Sequence, residues 1–152
     1  MLKGMKRLND VVSEFVSLFD CSCSFGADFS CNTNRNHINY TVVVAETHSQ
    51  SFMDRVERLY PDVKADEFLW GLLHEIGHIE TIDDFDDDEI EEFHLIKDVP
   101  NISDEEYYEV PDEFEATDWA ANFMRENEAL VNSFWAKVQP EIQRFYEVNN
   151  II

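Results

Sequence analysis

The chain has 152 residues, 33 acidic against 11 basic, giving a formal charge of -22 and a pI near 4.2. Such a surface repels nucleic acid and anionic membranes and favours basic partners, so no direct nucleic-acid binding is expected. No apolar run reaches the roughly 20 residues of a membrane span, and 44% hydrophobic residues with twelve phenylalanines suffice for one core, so a single cytoplasmic domain over 1-152 is expected.

Residues 5-19 carry Leu8, Val11, Val12, Phe15, Val16, Leu18 and Phe19 on a broad apolar stripe, which predicts an amphipathic first helix. Its basic head has neither the uninterrupted apolar stretch nor the small-residue cleavage site of a secretory leader. The Cys-, Ser-, Gly- and Asn-rich segment 20-37 breaks this helix. Cys21, Cys23 and Cys31 cluster there, with His37 nearby. Three cysteines cannot all pair, and C-x-C is tighter than the spacing of structural zinc sites, so free thiols are expected over a zinc knot or a disulfide from Cys31. Asn39-Tyr40-Thr41 and Asn101-Ile102-Ser103 match the glycosylation pattern, without consequence for a chain that is not secreted.

"INYTVVVAE", with Val42, Val43 and Val44 contiguous, is the best strand signal. Ser49 or Ser51 is placed to cap a helix to about Tyr60, ended by Pro61. Asp62 or Asp66 is placed to cap the next, whose Phe68, Leu69, Leu72, Leu73, Ile76 and Ile79 lead through to Glu80. Eight acidic residues between Asp83 and Glu92 follow. They read as a solvated acidic segment, because carboxylates repel at i,i+4. Asp84, Asp86 and Asp88 alternate like an early calcium loop, but Glu89 stands at its glycine position and Leu95 at its closing glutamate. Pro111 and Asp112 then open a run in which Trp119, Phe123, Leu130, Phe134, Trp135 and Val138 recur at helical spacing. Pro140 interrupts or ends it, and a short helix over 141-147 is expected.

Within the second apolar helix stands "HEIGH". His74 and His78, four apart, share a helix face and can aim both imidazoles at one ion. Glu75 lies about 100° round the helix, beside that ion, where a carboxylate can take a proton from an attacking water. Gly77 costs about 1 kcal/mol of helix propensity, which a close approach by substrate or by a second ligand helix would explain. A catalytic zinc takes three protein ligands. Asp83, Asp84 and His94 are near in sequence, but the three-histidine pattern is excluded, since Thr81 and Asp84 occupy its glycine and final histidine positions. A carboxylate on a second helix is the better donor. Glu113 and Glu115 open such a helix but lie about 200° apart on it, so they do not easily serve one ion together.

"HEIGH" with "EFEATDWAANF" resembles the glutamate-zincin metallopeptidases, in particular the small phage and mobile-element group related to the peptidase that cleaves phage-type repressors. The likeness spans roughly residues 38-124. It implies a helical zincin-like α+β core with a small sheet beside the HExxH helix, His74 and His78 as zinc ligands, and Glu75 as the base. The E-x-x-A-D pattern of related membrane peptidases points to Glu113 over Glu115 as third ligand. Thr117 departs from the family, which usually has Asn or Asp there, and the cysteine-rich and acidic segments are not typical of it.

The function these readings lead to is a zinc-dependent peptidase acting on a protein or peptide, with a basic peptide or DNA-binding regulator favoured by charge. Tyr107, Tyr108 and His94 are candidates to stabilise the oxyanion. The alternatives are a zinc-binding domain with weak or no turnover, and an acidic interaction protein that mimics nucleic acid.

Overall fold

The computed structural model describes residues 5-42 and 46-150, with residues 46-49 described through their backbone only. Helix α1 (Met5–Val16) leads into three short strands, β1 (Ser22–Phe25), β2 (Ser30–Asn32) and β3 (His37–Tyr40). Six helices follow: α2 (Glu46–Leu59), α3 (Glu67–Thr81), α4 (Asp87–Lys97), α5 (Asp104–Glu109), α6 (Pro111–Glu126) and α7 (Glu128–Val148). The result is a helical core with one small sheet beside α3, the α+β arrangement expected from the sequence.

The sheet has the order β1-β3-β2, with β1 parallel and β2 antiparallel to the central β3. β3 overlaps the start of the INYTVVVAE run expected to be a strand, whereas β1 and β2 lie within the segment read as a mere break. These two escape sequence reading because Ser, Cys and Asn dominate them and each is only three or four residues long. An Asx turn joins β2 to β3: the Asn32 carboxamide accepts from the amides of Asn34 and Arg35, and Asn36 takes the left-handed conformation at φ 50°. Ile38 and Tyr40 face inward and are fully buried. His37 and Asn39 point the other way, where they hydrogen-bond Ser22, Ser24 and Ser30.

This register decides the cysteine question. Cys23 and Cys31 both pair with Ile38, one on each side. Two strand spacings, roughly 9.5 Å, separate them, beyond the reach of a disulfide. His37 lies on the opposite face, so no knot forms with them. All three cysteines are free thiols.

Leu8, Val12, Phe15 and Val16 of α1 bury against the sheet and α7, and the Phe15 ring stacks on Phe134 with centroids 4.0 Å apart. Asp66 caps α3 by accepting from the Phe68 amide. Ser49 and Ser51 instead fall inside α2, which starts earlier, and Val43 and Val44 lie outside the described residues. The acidic run is exposed, as expected of a solvated segment, but it is not irregular: from Asp87 it is the helix α4, because Asp86 and Glu89 form a reciprocal capping box and Asp87, Asp88 and Glu89 crowd the first turn. There negative charge meets the positive end of the helix dipole, which outweighs i,i+4 repulsion. The aromatic run after Pro111 is also corrected: it breaks at Asn127 into α6 and α7, and Pro140 lies inside α7, held between the buried Val138 and Phe145.

Helix α3 is the centre of this packing, with Leu69, Trp70, Leu72, Leu73 and Ile76 all buried. Two glycines let neighbours reach its backbone. The Phe29 ring lies 2.6 Å from where a Gly71 Cβ would stand, and the Ala116 carbonyl oxygen of α6 lies 2.4 Å from where a Gly77 Cβ would stand. At Gly77 the obstacle is backbone, so α6 would have to move bodily. Gly77→Ala is expected to lower the unfolding free energy by about 1–3 kcal/mol, read as a lower midpoint in urea at unchanged slope. An unchanged midpoint would show that the two helices separate freely.

Candidate metal centre

The close approach at Gly77 places the start of α6 against one face of α3. Pro111 opens α6 at its first position, where a missing N–H costs nothing, and Glu113 follows in the first turn. The three side chains His74, His78 and Glu113 then converge: their donor atoms all lie within 4.8 Å of one another. Glu113 Oε1 is 3.0 Å from His74 Nε2 and 3.1 Å from His78 Nε2, and the two imidazole rings stand perpendicular with centroids 4.8 Å apart. His74 and Glu113 are buried, and His78 is nearly so. The arrangement is consistent with a zincin-like site.

The protons around this cluster decide what it can hold. Thr117 donates its hydroxyl hydrogen to the Glu113 carbonyl at 3.0 Å. Its oxygen, 2.9 Å from His74 Nδ1, is therefore the acceptor, and Nδ1 carries the hydrogen. His74 Nε2 is thereby left to face a carboxylate oxygen, and His78 Nε2 faces the same oxygen. Burial alone would raise the Glu113 pKa, yet the hydrogen bonds and charges of His74 and His78 override it and hold this carboxyl far below the usual range. Burial likewise works to lower the His78 pKa, but Glu113, Glu75 and Asp112 outweigh it and raise it. An anionic oxygen and two imidazole nitrogens meet at one point, which requires either added protons or a cation. Tetrahedral ligands at zinc-like bond lengths stand about 3.3 Å apart, close to the separations found here. The donor set fits a divalent metal ion.

Other groups complete the surroundings. Phe52 packs edge-on against His74, with centroids 5.6 Å apart, and Tyr108 stacks near both. Glu75 is about nine-tenths buried, and its carboxylate is among the groups that raise the pKa of the Cys31 thiol of β2. Burial, with the charges of nearby carboxylates, pushes the Cys31, Tyr107 and Tyr108 pKa values up, so all three keep their protons. The other sequence candidates lie elsewhere. Glu115 turns towards Asp84, and burial together with that carboxylate raises its pKa. Asp83 and His94 are exposed.

Sequence reasoning missed Lys97, Cys31 and the supporting role of Thr117. Lys97 donates to Glu113 Oε2 at 2.8 Å and to Asp112 Oδ2 at 2.7 Å. It is the sole Lys or Arg between Lys64 and Arg125 in a strongly acidic stretch, a signal that was available. Cys31 reaches Glu75 only through the strand pairing, which had no signal. No protein-family model matches the chain, and no curated protein or solved structure matches it either.

Removing the acceptor that orients His74 should weaken the centre without removing a donor. Thr117→Val is expected to lower divalent-metal affinity about 10–100-fold, measured by competition with a chromophoric chelator. Wild-type affinity in this variant would mean that His74 is oriented by other contacts.

Proposed function

We propose that the chain is a zinc-dependent peptidase whose metal ligands are His74, His78 and Glu113 and whose base is Glu75. One observation carries this reading: three donors from two helices, two buried and one nearly so, meet at one point, with a further buried carboxylate one residue from a donor. Bound zinc would supply a Lewis acid that polarises a scissile carbonyl and acidifies the attacking water.

The chain's own residues would do the rest. Thr117 fixes the His74 tautomer, so that Nε2 presents its lone pair. Glu75 accepts the proton of the attacking water and passes it to the leaving amine. Tyr107 and Tyr108, kept protonated by burial, are the hydroxyl donors suited to a developing oxyanion. The edge strand β2, whose Cys31 lies within the electrostatic influence of Glu75, offers a ladder edge of the kind that extended peptides join. The charge of -22 favours a basic peptide or a DNA-binding protein as substrate and disfavours DNA itself. Among the described residues no helix is long and apolar enough to cross a membrane, and no membrane partner is proposed.

Protein purified without a histidine tag should carry about one zinc per chain by plasma mass spectrometry, lost in His78→Ala and in Glu113→Ala. Glu75→Gln should keep the metal and lose about 10²–10⁴-fold in peptide cleavage. A wild type that neither carries nor takes up zinc would sink the reading, and full cleavage by Glu75→Gln would remove Glu75 from its role. Cleavage of a basic peptide should also fall steeply with added salt, as screening of exposed charges requires. Salt-independent cleavage would count against a charge-selected substrate.

A further inference from the structure

Lys97 closes α4 with its side chain only 13% exposed. The ammonium sits 5.7 Å from the Tyr107 ring centroid and splits its hydrogen bonds between Asp112 Oδ2 and Glu113 Oε2. The two oxygens of Glu113 are thereby divided: Oε1 lies against both imidazoles, and Oε2 lies against the ammonium. A tie between α4 and α6 alone would be met by Asp112, whose other oxygen accepts from the Glu113 amide. Contact with Glu113 Oε2 goes further, because it occupies the atom through which a carboxylate would otherwise close on a cation with both oxygens. Hard ions of high coordination number readily take carboxylates in that two-oxygen mode. A four-coordinate ion with nitrogen ligands takes one oxygen.

Resting on the metal-centre reading above, we propose that Lys97 is a positioning residue that reserves a single oxygen of Glu113 for the ion, and so favours zinc over ions that prefer more oxygen ligands. The ammonium directs its hydrogen bonds to the two carboxylates. It acts through Glu113, first by blocking rotation of the carboxylate and second by balancing the charge of the Asp112–Glu113 pair at the start of α6.

The test compares wild type with Lys97→Met, using Co2+ as a spectroscopic probe and Zn2+ and Mn2+ in separate titrations. Wild type should give the intense visible bands of low-coordinate cobalt. In Lys97→Met the released carboxylate should raise the coordination number, weaken those bands and lower zinc affinity about 10–100-fold, with manganese affinity falling less or rising. Lys97→Gln, suited to a half-buried polar position, gives the same comparison if the methionine variant does not fold. An unchanged cobalt spectrum together with an unchanged zinc-to-manganese ratio, even if both affinities fall equally, would overturn the proposal and make Lys97 a structural tie. A wild type that binds none of the three ions would overturn the metal-centre reading itself, and the role of Lys97 with it.

Discussion

Between α3 and α6 the backbones meet at Gly77, where the Ala116 carbonyl occupies the space a side chain would need. Gly77 immediately precedes His78 and Ala116 immediately precedes Thr117, so the contact is nested among the residues of the centre. Residues one turn away, His74 on one helix and Glu113 on the other, are brought to hydrogen-bond distance by the same approach. Any larger residue at 77 would widen the gap just where a carboxylate must span it. The helix-propensity cost of a mid-helix glycine is thus offset by the positioning of a second helix.

Positive charge is scarce in this chain, and among the described residues Arg55 and Lys97 are the cations drawn inward. Arg55, its side chain 2% exposed, binds Glu105 and Glu109 at 2.7 and 3.0 Å and so fastens α5 to α2. That fastening fixes Tyr107 and Tyr108, which α5 carries. Lys97 fastens α4 to the start of α6, and Arg125 joins α6 to Asp62 through two hydrogen bonds. The Arg125 pair is exposed and adds little stability, whereas removing the partner of the buried Arg55 or Lys97 would strand a charge. The value of these two is geometric, since each sets an acidic helix, α5 or α4, in register with the wall of the centre.

What could be read from the sequence follows from the range of each signal. The HEIGH motif, the Asp66 cap and the apolar face of α3 are local patterns with periods a helix dictates, and they were legible. The pairing of α6 with α3 was legible because an acidic pair follows Pro111 at a helix start. Of the sheet, β3 was legible through the start of the INYTVVVAE run, while β1 and β2 are short, polar and defined only by their pairing with it. The acidic helix α4 was misread because repulsion was counted without the capping box that Asp86 and Glu89 form. The orientation of His74 by Thr117 needs both helices in place, and no local pattern announces it. Helix geometry alone leaves Glu113 and Glu115 open; the resemblance favours Glu113, and the structure brings Glu113 to both imidazoles while Glu115 lies beside Asp84.

The core closes through its two end helices, with Phe15 of α1 stacked on Phe134 of α7. Phe15 also meets Phe123 of α6 edge-on, and α1 packs on β1. The partners of one short helix thus come from the adjoining strand and from helices more than a hundred residues further along. Contacts so distant in sequence carry a high closure cost before they repay it, so this part of the core is expected to set the pace of folding.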